Sequence, residues 1–286
     1  MKLAVISDIH YPANVTCQTI LGALCGYTDD FYWRLEDNVQ ELSPDTINAF
    51  IMNGDFYWDV RYFAKTPIIP PNWEFYTDHI DKIKNFRKML HKDIPLILIE
   101  GNHDYWFQKY IFSDKGTCFL DGDSYFNHLI QDWRLTEGQI EQIFNLLDFN
   151  NGKIEIGKNT YLLKNEGLLI NNTYIYGIPY YDREKAILTW ANFRSEIIEQ
   201  YEKNLEKTLA DSGESNLNIV ICQHEQPQTP KLYFSLFKKP RTTIKYFFWG
   251  HKHTLKLDFI EKINKYGSFH CVMPEVNQLK LQIYEI

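Results

Sequence analysis

Five short apolar runs in this chain each stop at a carboxylate, an amide or an imidazole, and this restricts the fold more than any other feature. Leu3 to Ile6 leads into Ser7-Asp8-Ile9-His10. Ala49 to Met52 leads into Asn53-Gly54-Asp55, and Leu96 to Ile99 into Glu100-Gly101-Asn102-His103-Asp104. Leu217 to Cys222 leads into Gln223-His224, and Ile244 to Trp249 into Gly250-His251-Lys252-His253. Continuous apolar runs of this length suit strands buried on both faces. Ligands of open α/β sheets gather at the carboxyl ends of the strands, so these ends can converge on one site.

Helical segments separate the strands. Thr136-x-x-Gln139 reads as a capping box ahead of the stripe Ile140, Ile143, Phe144 and Leu147. Residues 183 to 210 read as one long helix whose many Glu and Lys make an exposed face, stopping near Asp211-Ser212-Gly213. The tail from Phe269 to Ile286 reads as closing strands. Residues 56 to 80 combine Tyr57, Trp58, Tyr62, Phe63, Trp73, Phe75 and Tyr76 with Pro67, Pro70 and Pro71. Those prolines oppose regular structure, so the expectation is an ordered aromatic loop. With no repeat, low-complexity tract or linker, residues 1 to 286 are read as a single domain.

Charge and cysteine usage narrow the function classes. A net charge of −7 argues against a broadly basic surface for duplex nucleic acid. Lys238, Lys239, Arg241 and Lys245 form a short basic run, read as a solvated approach to the next strand. The 5 cysteines are scattered and form no Cys-x-x-Cys pair, which favours a reducing compartment over a disulfide framework. No run approaches the roughly 18 apolar residues of a membrane span, and the start of the chain does not read as a signal peptide. The expectation is a soluble cytoplasmic protein; oligomeric state is not encoded legibly.

The polar residues after the strands are Asp8, His10, Asp55, Asn102, His103, Asp104, His224, His251 and His253. Mixed oxygen and imidazole donors suit Mn²⁺, Fe, Zn²⁺ or Co²⁺ better than Ca²⁺. One carboxylate can bridge two such ions, and two ions about 4 Å apart can clamp a phosphoryl group. In Asp8-x-His10 and His251-x-His253, side chains two apart in extended backbone point the same way. Asp-x-His alone is a weak signal. Gly101-Asn102-His103-Asp104 is stronger, expected by chance in on the order of one in a thousand chains of this length. The isolated His79, His91, His128 and His270 are read as structural.

Taken together, these blocks resemble the calcineurin-like metallophosphoesterase superfamily, whose pattern runs Asp-x-His, Gly-Asp, Gly-Asn-His-Asp/Glu, a lone His, then Gly-His-x-His. All are present between Asp8 and His253. The resemblance implies an α/β fold, a sandwich of two facing mixed sheets flanked by helices. It implies two divalent metal ions, Mn²⁺ first, with Fe, Zn²⁺, Co²⁺ or Ni²⁺ as the other candidates. Asp8, His10, Asp55 and His253 would hold one ion; Asp55 would bridge to the second, completed by Asn102, His224 and His251. A hydroxide between the ions would attack phosphorus. Asp55 and Asn102 would serve catalysis through the metals, and His103 would stabilise the phosphoryl oxygens or protonate the leaving group. Asp104 would hold the turn. The implied substrate is a small phosphoester, a phosphodiester or nucleotide-type molecule. The alternatives are a nuclease of the same superfamily, for which nucleic acid is a possible but not favoured partner, and a non-catalytic scaffold. The chain lacks the Asp-Arg-Gly element of Ser/Thr protein phosphatases, and Trp58 stands where purple acid phosphatases carry a tyrosine. It resembles small bacterial phosphoesterases, including those like cyclic-nucleotide phosphodiesterases. His224, in the atypical Gln223-His224-Glu225-Gln226-Pro227, is the ligand that matches the pattern least well.

Overall fold

A computed structural model describes residues 1–9, 11–12, 29–58, 73–101, 104, 136, 138, 154–155, 157–178, 183–224, 235–250, 260–263, 267–271 and 281–286. Among them, two six-stranded sheets carry the architecture. In the first, β1 (Lys2–Ile6), β3 (Ala49–Asn53), β5 (Leu96–Ile99) and β7 (Thr160–Leu163) run parallel. Antiparallel β14 (Gln282–Glu285) closes one edge and β6 (Ile154–Glu155) the other. In the second, β9 (Thr173–Ile178), β10 (Leu217–Gln223), β11 (Thr242–Trp249) and β13 (Gly267–Cys271) run parallel. Antiparallel β8 (Glu166–Ile170) and β12 (Ile260–Ile263) form its edges.

A parallel sheet must be covered on both faces, and the alternation of side chains shows what covers each. Val5, Ile51, Ile97 and Ile99 meet Ile175, Val220, Cys222 and Phe248 in one core between the two sheets. Each such fully buried large aliphatic or aromatic side chain contributes about 1.5–3 kcal/mol. The outward face of the second sheet presents Tyr174, Tyr176, Ile219, Ile221 and Phe247. There it meets Ile197, Tyr201 and Leu205 of helix α3 (Arg183–Ser212), a stripe at four-residue spacing. This helix is the one expected from the charge pattern, and Gly213, at φ +68°, ends it in the left-handed conformation that favours glycine. On the outward face of the first sheet, Phe50 packs edge-on against Phe86 of helix α2 (Trp73–Met89). Helix α1 (Asp29–Gln40) buries Tyr32, Leu35 and Val39.

All the apolar runs named from the sequence are strands, and the expected closing strands in the tail are β13 and β14. One reading needs correction. The aromatic loop expected over 56–80 is helical from Trp73 onward, and Tyr57–Trp58 form a short strand, β4, paired in parallel with β2 (Tyr11–Pro12). The prolines were given too much weight: they stand upstream of Trp73, while Tyr76, Ile80, Ile83 and Leu90 recur at helical spacing. Residues 59–72 and the whole stripe Ile140, Ile143, Phe144 and Leu147 lie outside the described residues. Strands β6 to β9 were not anticipated. The available signal was the Asn171-Asn172 turn between two apolar runs, with Asn171 at φ +54°.

The topology brings strand ends together. The parallel strands of both sheets place Ser7, Gly54 and Glu100 from one sheet, and His224 and Gly250 from the other, just past their carboxyl ends. Three members of the basic run lie elsewhere, while Lys245 is within β11. Lys238, Lys239 and Arg241 precede β11, at the opposite end of its 8 residues from Gly250. At about 3.3 Å per residue, that is roughly 20 Å from the convergent strand ends. Lys239 is paired with Glu202, and the Arg241 guanidinium donates to the carbonyls of Glu214 and Ser215.

Candidate metal centre

Asp8, Asp55 and His224 meet at the convergent ends. One ligand atom from each lies within 4.8 Å of the others, and all three residues are fully buried. His224 Nε2 is 3.2 Å from Asp55 Oδ2 and 3.9 Å from Asp8 Oδ1.

The backbone is bent to make this possible. Asp8 and Asp55 both adopt the left-handed conformation, at φ 56° and 51°. Each such turn costs a non-glycine residue on the order of 1–2 kcal/mol, and aspartate tolerates it better than most. Asp8 N donates to Gly54 O across 2.9 Å, tying the end of β1 to the turn after β3. Gly54, at φ +92°, faces the imidazole so closely that a Cβ there would lie 2.3 Å from His224 Nδ1. A Cβ on Gly250 would lie 2.3 Å from Asp8 Oδ2. The glycines in these motifs are therefore spacers that let three chain segments crowd one point.

The imidazole orientation is set by a carbonyl. His224 Nδ1 is 3.1 Å from Asn53 O. A carbonyl only accepts, so this contact requires a proton on Nδ1 and leaves Nε2 turned toward the carboxylates. Burial of the ring works against a charge, but Asp55 and then Asp8 outweigh it, and the pKa is pushed up to about 10. Two carboxylates buried together need a positive partner. Protonated His224 supplies one charge; a divalent cation would supply two. Two oxygens and one imidazole nitrogen fit a divalent transition ion.

Around the cluster sit residues that motif reading passed over. Ser7 Oγ lies 2.5 Å from Asp8 Oδ2 and 2.7 Å from Asn53 O, and its single proton serves one at a time. Asn53 Nδ2 donates to Gln223 O across 3.0 Å. Glu100, just before Gly101, forms a buried ion pair with Lys164 at 3.5 Å. Nothing in the motif spacing announced Asn53 or Lys164, because their partners are carbonyls and side chains distant in sequence. Asp104 accepts from Gly101 N and from Phe56 N, each across 2.9 Å, which is the turn-holding role expected of it.

The structure thus brings together Asp8, Asp55 and His224, including the histidine that matched its motif least well. His10, Asn102, His103, His251 and His253 lie outside the described residues. Cys222, buried in the core between the sheets, has its thiol pKa pushed up by burial and behaves as a small apolar side chain.

No curated protein matches the sequence. The family model described as calcineurin-like phosphoesterase matches residues 1–255. That span contains Asp8, Asp55, His224 and the strand ends that carry them, and the chain belongs to the calcineurin-like phosphoesterases, a family of metal-dependent phosphoric ester hydrolases.

Proposed function

We propose that this phosphoesterase cleaves a small phosphodiester or nucleotide-type substrate at the Asp8–Asp55–His224 centre. The observation that carries the reading is the buried cluster itself: two carboxylates and an oriented imidazole at the joined ends of two sheets. Asp8, His10, Asp55 and His253 would hold one ion, and Asp55, Asn102, His224 and His251 the other. Bound divalent ions would supply Lewis-acid charge to the phosphoryl oxygens and acidify water at the site. Manganese is the proposed native pair, with Fe, Zn²⁺, Co²⁺ or Ni²⁺ able to substitute. His103 would lie beside the substrate, stabilising the phosphoryl oxygens or handing a proton to the leaving group. The scattered cysteines support a reducing, cytoplasmic setting.

Two features favour a small substrate over a polynucleotide. The net charge is −7, and Lys238, Lys239 and Arg241 of the basic run stand at the far end of β11 from the cluster. A nuclease would show binding that weakens steeply as salt rises, through counterion release.

The deciding experiment is hydrolysis of bis-p-nitrophenyl phosphate against p-nitrophenyl phosphate. Removal of metal by a chelator should abolish turnover, and Mn²⁺ should restore it. Turnover that survives chelation would overturn the metal-dependent reading. Faster cleavage of the diester supports the phosphodiesterase assignment, and faster cleavage of the monoester reverses it.

Tyr57 and Trp58 stand two and three residues beyond Asp55, in the strand paired with Tyr11–Pro12. On this reading the aromatic residues hold a nucleobase by stacking, worth about 1–3 kcal/mol per base. Trp58→Ala should therefore raise KM for a nucleotide by about tenfold and leave KM for p-nitrophenyl phosphate unchanged. An equal change for both substrates would remove the base-stacking role.

A further inference from the structure

We infer that Asn53 is a positioning residue that latches the two sheets together and fixes which nitrogen of His224 faces the centre. The inference rests on the metal-centre reading above.

The latch is a closed ring of two hydrogen bonds. Asn53 ends β3 in the first sheet, and Gln223 ends β10 in the second. Asn53 Nδ2 donates to Gln223 O across 3.0 Å, and His224 Nδ1, one residue further on, lies 3.1 Å from Asn53 O. Asn53, Gln223 and His224 are all fully buried, so water cannot replace either bond. Neither bond belongs to a ladder within a sheet: both cross the sandwich, joining segments 170 and 171 residues apart.

The two bonds do different work. The carbonyl of Asn53 holds the proton of His224 on Nδ1, which leaves Nε2 as the ligand nitrogen. The carboxamide holds the end of β10 at the depth where that imidazole reaches Asp55. Asparagine is suited to the position because its short side chain ends in a donor, and the facing group, a carbonyl, needs one. Aspartate has no donor there, and leucine of similar size has none either. Asn53 itself need not touch an ion or substrate: it acts through the placement of His224.

The test is a double-mutant cycle read by metal binding and not by turnover alone. Mn²⁺ affinity of metal-stripped protein would be measured calorimetrically for wild type, Asn53→Leu, His224→Ala and the double variant. Asn53→Leu should weaken one ion by about 10–100-fold, the usual effect of losing a residue that orients a ligand. It should lower kcat while leaving KM for p-nitrophenyl phosphate within about threefold. In the His224→Ala background, Asn53→Leu should change Mn²⁺ affinity by less than about threefold, because the residue it acts through is gone. Wild-type affinity in Asn53→Leu, or effects that simply add in the double variant, would overturn the inference. If wild type takes up no Mn²⁺ at all, the metal reading fails and the inference falls with it. Uptake by wild type and Asn53→Leu alike sinks only the latch.

A second measurement needs no variant. In the diamagnetic Zn²⁺-loaded wild type, ¹⁵N-histidine spectra should show His224 protonated at Nδ1 and ligated through Nε2. The opposite tautomer would overturn the inference even if Asn53→Leu fails to fold.

Discussion

Asp55→Asn should lower kcat/KM by about 10³-fold or more, equivalent to about 4 kcal/mol or more of lost transition-state stabilisation. The substitution preserves size and removes the charge. Asp55 is fully buried, 3.2 Å from His224 Nε2, and shares its pocket with Asp8. Asp104, in the turn after β5, cannot replace it, because its two oxygens already accept from Gly101 N and Phe56 N. The fold should survive. Asparagine tolerates the left-handed backbone at φ 51°, and removing one buried negative charge relieves repulsion with Asp8. Circular dichroism and Tm near wild type, with Mn²⁺ affinity and turnover both lost, is the expected combination. Activity within tenfold of wild type would mean that the chemistry does not depend on this carboxylate.

Gly54→Ala should be strongly destabilising. Two costs combine at this position. The backbone sits at φ +92°, where a side chain adds on the order of 1–2 kcal/mol. The new Cβ would also lie 2.3 Å from His224 Nδ1, and overpacking of that kind costs about 1–3 kcal/mol. A total of about 2–5 kcal/mol should lower Tm by roughly 5–15 °C. Gly213→Ala is the control. Gly213 is also left-handed, at φ +68°, but a Cβ there would meet nothing within 4 Å. It should show only the backbone cost, a few degrees at most. A Gly54→Ala protein as stable as Gly213→Ala would show that the crowding against the imidazole is not real.

The parts of the fold that could be read from the sequence are those where one physical signal acts alone. Runs such as Leu96 to Ile99 are apolar on both faces because they lie inside parallel sheets, and nothing competes with that signal. The long helix ending at Gly213 carried both a charged face and a glycine stop. Where signals conflicted, the reading failed: Pro67, Pro70 and Pro71 argued for a loop and masked the helical spacing that begins at Trp73. Strand β8 is only half-buried along its length, so neither a continuous apolar run nor clean alternation marked it. At the centre, Asp8, Asp55 and His224 were legible as residue types at strand ends. The hydrogen bonds that orient them were not. Asn53 to Gln223 and Glu100 to Lys164 pair groups far apart in sequence, and no local pattern encodes such a partner.

The origin of the cluster's members has a consequence for how the molecule assembles. Both carboxylates follow strands of the first sheet, and the imidazole follows a strand of the second, more than half the chain length later. A nascent chain that has formed only β1, β3, β5 and β7 holds Asp8 and Asp55 without His224 to offset their charges. A high-affinity centre would exist only once the sheets have docked, so ion uptake should be a late event in folding and a reporter of that docking. An ion at 100 times its Kd would add about 2.7 kcal/mol to the docked state and nothing to the undocked one. Availability of the ion would then set how long the two halves stay joined, as well as how fast the finished enzyme turns over.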